Sequence, residues 1–268
     1  MAVGAFEQME GKSMSRYAIY PSLRERVVIV TGGGSGIGAK LVEHFAHQGA
    51  KVAFLDVAEQ ASNELIDSLA GKCSYTPLFF PCDLTETTVL RETIALICSS
   101  LGDADVLVNN AANDDRHRWQ DVTPEYWDQR ISVNLKHQFF AIQAIAPGMR
   151  AKKRGSIINM SSICWMIPSS GLPIYATSKA AIVGMTRAFA VELGISNVRV
   201  NCVSAGAVLT ERQKRLWLSP EYEAEVLSEQ ILKRHLLPDD VARLVLFLAA
   251  DDSDGITSKN YLVDGGWI

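Results

Sequence analysis

The chain has 268 residues and a formal net charge of −4, with 48% hydrophobic and 21% charged residues. That is enough apolar material for one globular domain with a sizeable core. The acidic balance argues against nucleic acid or an anionic membrane surface as the main partner, and no apolar run approaches the roughly 18 residues of a membrane span.

Residues 1–20 read as a flexible N-terminal arm that lacks the apolar segment of a signal peptide, with Met14 as an alternative start. Residues 21–268 read as one catalytic domain, with a cofactor half at about 21–150 and a substrate-site half at about 151–268. The β-branched run Arg26–Thr31 is the pattern of a strand buried on both faces. It runs directly into Gly32-Gly33-Gly34-Ser35-Gly36-Ile37-Gly38, and a helical pattern with Leu41, Val42, Phe45 and Ala46 on one side follows. A second strand, Lys51–Leu55, closes on Asp56. Strand, glycine turn, helix, strand and acid form the βαβ unit of a dinucleotide site. Glycines let the backbone approach a pyrophosphate, whose charge then faces the N–H groups at the helix start. A P-loop is excluded because Gly38 is followed by Ala39-Lys40-Leu41, one place late for the lysine and without the hydroxyl. A carboxylate at Asp56 accepts hydrogen bonds from ribose hydroxyls and repels a 2′-phosphate. No Arg or Lys stands at Gly33, Gly34, Ser35 or Val57 to bind that phosphate, so the expected cofactor is NAD.

The alternation continues with helix 58–70, strand 76–81, helix 86–100 and strand 105–108, the last ending in Asn109-Asn110-Ala111-Ala112. One long helix is expected from Pro124 to about Arg150, then strand 155–161, helix 175–193 and strand 198–203. Residues 211–236 read as a mostly helical excursion, followed by helix 239–250 and a short strand at 261–263. The fold class is therefore α/β: a single-domain, Rossmann-type, doubly wound parallel sheet with helices on both faces. Ligands bind such sheets outside the carboxyl ends of the strands. The five cysteines include no Cys-x-x-Cys pair and read as reduced thiols in a cytoplasmic protein. His44 and His47 share a helix with Glu43 but have no third ligand, so no metal is expected.

Tyr175-Ala176-Thr177-Ser178-Lys179 places a phenol and an ammonium on one helix face. An adjacent ammonium favours the phenolate, which predicts a Tyr175 pKa lowered from about 10. A tyrosine tuned that way exchanges a proton with an alcohol or carbonyl. Ser162, thirteen residues upstream and following an apolar run, can hydrogen-bond the reacting oxygen.

Together these motifs resemble the short-chain dehydrogenase/reductase family from about Leu23 to the end. Thr31-Gly32-x-x-x-Gly36-x-Gly38 is similar to its cofactor loop, and Asn109-Asn110-Ala111-Ala112 to its Asn-Asn-Ala-Gly motif with alanine last. Asn134, Ser162, Tyr175 and Lys179 match its catalytic tetrad in order and spacing. The resemblance implies that Tyr175 is the general acid or base and that Ser162 orients the substrate oxygen. It implies that Lys179 holds the nicotinamide ribose and that Asn134 keeps a relay water. The cofactor contacts it implies are Gly32, Ser35, Gly36, Ile37, Gly38, Asp56, Asp83, Leu84, Asn109, Ala111, Tyr175, Lys179, Ala205, Gly206, Val208 and Thr210. Ser204-Ala205-Gly206-Ala207 departs from the family's Pro-Gly, which predicts a slightly freer nicotinamide pocket. A homotetramer built on a four-helix seam is also implied.

Within the family, Asn113-Asp114-Asp115-Arg116-His117, Cys164-Trp165, Leu209-x-x-Arg212-Gln213 and Val263-Asp264-Gly265-Gly266-Trp267 are similar to NAD-dependent pentose 1-dehydrogenases. A sugar needs hydrogen-bond partners and a flat wall, which Asn113, Asp114, Ser162, Trp165 and Tyr175 are placed to supply. The expected reaction is oxidation of an aldose C1 hydroxyl to a lactone. Two alternatives stay open: a dehydrogenase for a polyol, acyl chain or sterol, and an NAD-binding regulator without catalysis.

Overall fold

The computed structural model describes residues 17–268. Most of the N-terminal arm expected over 1–20 lies outside the described residues, but Tyr20 donates its backbone N–H to Gln48 Oε1 at 2.7 Å. Seven strands form one sheet in the order β3-β2-β1-β4-β5-β6-β7, every pairing parallel. In chain order they are β1 (Val27–Thr31), β2 (Lys51–Asp56), β3 (Leu78–Pro81), β4 (Val106–Asn109), β5 (Gly155–Ser162), β6 (Val198–Ala205) and β7 (Asn260–Val263).

All five residues of β1 are buried, because helices cover both faces and successive side chains alternate between them. Val28 and Val30 join a core containing Leu41, Val42, Phe45, Val241 and Val245, from α1 (Gly36–His47) and α9 (Pro238–Ala249). Ile29 points the other way, into a core with Leu90 and Ile94 of α3 (Thr87–Leu101) and Ala141, Ile142 and Ile145. Those last three sit on α5 (His137–Lys152), beside α6 (Pro173–Gly194). The remaining helices are α2 (Glu59–Leu69), α4 (Pro124–Ile131), α7 (Glu211–Leu216) and α8 (Pro220–Glu229).

One expectation needs correction. The long helix from Pro124 is not one α-helix: α4 and α5 are joined by a π turn over Ser132–Lys136, centred on Asn134. Such turns add a residue to the helical repeat and re-aim the side chain there. The excursion over 211–236 is mostly helical but not continuous: α7 and α8 are separated over 217–219, and Pro220, whose ring suits a helix start and not its interior, opens α8. Residues 230–237 carry no regular helix; Val208 instead makes a parallel bridge to Leu236. Among the described residues no helix is long and apolar enough to cross a membrane.

The chain reverses winding between β1 and β4, and the strand ends there open a crevice on the carboxyl side of the sheet. Register fixes what meets at that edge. Thr31 pairs with Asn109, Asn109 with Asn159, and Ser162 with Ala205.

Candidate active site

The glycine loop leaves β1 at Gly32, whose φ of 66° favours glycine, and a Cβ there would meet Ala111 Cα at 2.7 Å. Gly38 is tighter still: a Cβ would lie 1.8 Å from the Gly32 carbonyl oxygen. Helix α1 therefore starts against the loop itself, with Ser35 exposed at its N-cap. Asp56 braces the loop from β2: Oδ2 accepts from Gly34 N–H at 2.8 Å and Oδ1 from Ala58 N–H at 2.9 Å. Each oxygen keeps a further lone pair. Asp83 is exposed after β3 and accepts from Thr85, while Leu84 beside it is buried.

Two residues outside the expected contact set tie this loop to β4. Thr31 Oγ1 accepts from the N–H groups of Asn110 and Ala111, and Asn110 Nδ2 donates to the Gly32 carbonyl at 2.9 Å. Their signal was in the sequence, as a hydroxyl ending β1 and the second asparagine of the Asn-Asn pair. Asn109 turns the other way: its Nδ2 donates to Asn159 Oδ1 at 2.9 Å, in the core. On the far side, Ala205 remains the last residue of β6, paired with Val263, and Gly206 N–H donates to the Val263 carbonyl at 2.9 Å. Proline's fixed φ is replaced here by strand hydrogen bonds. Val208 is buried at the bridge to Leu236, and Thr210 caps α7, its methyl 3.4 Å from the position of a Cβ on Gly36. The glycine cradle and the Asp56 acceptors suit the pyrophosphate and ribose of a dinucleotide.

The catalytic candidates converge beyond β5. Ser162 ends that strand and accepts from Cys164 N–H at 3.2 Å, and its hydroxyl acts on the Tyr175 phenol. Lys179 is almost completely buried at 1% exposure, its Nζ donating to the Met160 carbonyl at 2.8 Å and lying 5.3 Å from the Tyr175 ring centroid. Burial lowers the Lys179 ammonium to about 8, against the opposing pull of Cys164, Cys202 and Asp114. In the chain alone, burial raises the Tyr175 phenol above its ordinary value, helped by Cys164 and Asp114 and opposed by Ser162. The expected lowering of the tyrosine by its lysine is thus corrected. An ammonium that is itself desolvated and engaged on a carbonyl does not offset the loss of water around the phenol.

Asn134 is fully buried in the π turn. Its side chain clamps the next loop, accepting from Asn113 N–H at 2.8 Å and donating to the Asn113 carbonyl at 3.1 Å. Asp114 follows, with Oδ1 accepting from Arg212 Nε at 3.1 Å and Oδ2 from Gln213 Nε2 at 2.9 Å, both from α7. Arg212 Nη2 also reaches Asp115 Oδ1 at 2.5 Å, and Arg130 Nη1 of α4 reaches Asp115 Oδ2 at 3.3 Å. Burial alone would raise Asp115, but hydrogen bonds from Arg212 and Asn113 and the two guanidinium charges hold it below the usual carboxylate range. Arg116 stacks over Trp217 at 4.8 Å. Trp165 packs against Ile182, Val183 and Cys202, and its buried Nε1 has no protein partner. In the sequence Arg212 and Gln213 stand out only as part of the stretch Leu209-x-x-Arg212-Gln213. Nothing in their local pattern pairs them with a loop 98 and 99 residues away.

With this geometry in place, the comparisons with known proteins are specific. A family model described as Enoyl-(Acyl carrier protein) reductase matches residues 32–268. D-xylose 1-dehydrogenase of Caulobacter vibrioides is 50% identical over 250 residues, covering 93% of this chain and 98% of that protein. The "Probable galactose dehydrogenase GalD" of Rhizobium meliloti is 47% identical over 247 residues, covering 92% and 96%. A solved structure from Sinorhizobium meliloti 1021, provisionally assigned as a short-chain alcohol dehydrogenase, superposes with a TM-score of 0.87 at 27% identity. That match covers 92% of this chain and 98% of the other. The chain belongs to the short-chain dehydrogenase/reductase family. It is a dehydrogenase of that family, and membership implies a nicotinamide cofactor.

Proposed function

We propose that this protein is an NAD-dependent sugar dehydrogenase that oxidises the C1 hydroxyl of an aldose to a lactone. The observation that carries the reading is buried Lys179, its Nζ 5.3 Å from the Tyr175 ring centroid at the end of the strand that carries Ser162, with an Asp114 carboxylate held by Arg212 and Gln213 whose charge acts on both Tyr175 and Lys179. A carboxylate close enough for its charge to act on the Tyr175–Lys179 pair suits a polyhydroxylated substrate better than an acyl chain or sterol. Identity of 50% and 47% to two enzymes named for sugars supports the same class.

In this mechanism Ser162 donates to the substrate oxygen and fixes its distance from Tyr175. Tyr175, as the phenolate of a phenolate–ammonium pair, takes the hydroxyl proton, which leaves phenol beside the Lys179 ammonium and one more positive charge on the pair. A nicotinamide, when bound, would supply the acceptor for the C1 hydride. Gly32, Ser35, Gly36, Ile37 and Gly38 would hold its pyrophosphate, and Asp56 the adenosine ribose through its remaining lone pairs. Asp83, Leu84 and Ala111 would border the adenosine side, while Asn109, turned into the core, would support it from behind. Ala205, Gly206, Val208 and Thr210 would border the nicotinamide, whose ribose falls to Tyr175 and Lys179. Asn134 acts by holding Asn113, and Asn113, Asp114 and Trp165 border the sugar. The protein acts in the cytoplasm as a homotetramer in this reading.

An initial-rate screen of pentoses, hexoses, deoxysugars, simple alcohols and 3-oxoacyl esters with NAD(H) tests the substrate class. Sugars should give the highest kcat/KM; an enzyme that turns over only acyl substrates overturns the proposal. Tyr175→Phe should keep NAD affinity while turnover falls by about 10²-fold or more.

A further inference from the structure

The Asp114 carboxylate is held in a way that its place near Tyr175 does not require. Its side chain is 23% exposed, and each oxygen takes one donor from α7, Arg212 Nε at 3.1 Å and Gln213 Nε2 at 2.9 Å. Two donors from one short helix fix both the position of the carboxylate and the plane in which it lies. The anchor continues outward, because Arg212 also bonds Asp115 and Asp115 bonds Arg130 on α4. From beneath, Asn134 holds the backbone of Asn113, and Asn113 Oδ1 accepts from Asp115 N–H at 2.8 Å. The loop is thus gripped from the π turn on one side and from α7 on the other. Arg116, on Trp217, adds a third tie to the segment between α7 and α8.

A carboxylate offers about four acceptor sites, of which α7 uses two. The remaining two leave one acceptor position on each oxygen for donors from a ligand. Resting on the sugar-dehydrogenase reading above, we propose that Asp114 accepts hydrogen bonds from two adjacent hydroxyls of the sugar, and that Arg212 and Gln213 are the positioning residues that aim it. Substrate selection then depends on two hydroxyls beyond the reacting carbon, and on α7 being seated. An anionic sugar, such as a uronic acid or a sugar phosphate charged at that position, is repelled.

The test compares the best sugar with its deoxy analogues, each lacking one hydroxyl, in the wild type, Arg212→Met, Arg212→Lys, Gln213→Leu and Asp114→Asn, with NAD affinity measured by fluorescence. In the wild type, removing either of two adjacent hydroxyls should lower kcat/KM by about 10- to 100-fold, the effect of a hydrogen bond to a charged group. In Arg212→Met and Asp114→Asn, KM for the parent sugar should rise about tenfold or more, and the penalty for the deoxy analogues should shrink to a few-fold. NAD affinity should stay within about twofold, since neither side chain touches the glycine loop. Arg212→Lys keeps the charge but loses the fork and should fall between. Gln213→Leu provides a milder perturbation if Arg212→Met does not fold. Full discrimination retained in Arg212→Met or Gln213→Leu overturns the inference, as does a loss in kcat alone with KM and discrimination unchanged. A wild type that oxidises sugars but accepts every deoxy analogue equally refutes only this inference. A wild type that oxidises no sugar refutes the functional reading, and this inference with it.

Discussion

The proton chemistry yields the sharpest prediction, because the structure moves it off the tyrosine. With Lys179 held at about 8 and the phenol of Tyr175 raised by burial, the Tyr175–Lys179 pair loses its first proton near pH 8. That proton belongs to the pair, since phenol with amine and phenolate with ammonium carry the same number of protons. Oxidation needs the pair to have a vacancy for the substrate proton, so activity is present above this ionisation and lost below it. kcat/KM for sugar oxidation should therefore rise about tenfold per pH unit up to about 8 and then level off.

Lys179→Met keeps much of the buried volume and removes the amine. The remaining ionisation is that of Tyr175 alone, which burial holds above the ordinary tyrosine value. A group titrating about two units above the assay pH is about 1% deprotonated, so the variant should be slower by about 10²-fold or more at pH 8. Its profile should still be climbing at about pH 10, with no plateau near 8. Initial rates across about pH 6–10 at constant ionic strength, with NAD saturating for each variant, measure this directly. A Lys179→Met profile that levels off at the wild-type pH would refute the reasoning, because the ionisation would then belong to some other group.

Asp56→Ala should narrow the preference for NAD over NADP by removing both the ribose acceptors and the repulsion of a 2′-phosphate; an unchanged ratio of kcat/KM values would place cofactor choice elsewhere. Gly38→Ala puts a methyl 1.8 Å from the Gly32 carbonyl oxygen and 2.7 Å from Asn110 Nδ2, so α1 must shift from the loop. NAD affinity, followed by fluorescence, should fall by at least tenfold, and affinity equal to wild type would show that the loop is not the cradle. Helix α5 exposes Phe139 at 43%, packed 5.1 Å from Phe189 of α6, and the end of α6 leaves Val191 at 78% and the following Ile195 at 90%. Sedimentation at micromolar protein should show an oligomer, and a monomer would leave these apolar side chains without a partner.

Much of the fold follows from local pattern. The β-branched run over 27–31, the glycines after it and the acid ending β2 are close in sequence, and each obeys a rule that acts over a few residues. The Tyr175–Lys179 spacing and its place on a helix were legible for the same reason, as was the family, whose motifs are themselves local. The tertiary structure decided what depends on burial and on distant partners. The direction of the Tyr175 shift is set by desolvation and by Cys164 and Asp114, none of it visible in a five-residue motif. The π turn that points Asn134 at Asn113 interrupts a stretch whose composition reads as one helix. The orientation of Asp114 comes from Arg212 and Gln213, about a hundred residues further along the chain. Hydrophobic spacing says which side of an element faces inward, but only the packed sheet determines which charged groups meet at its edge and how much water they keep.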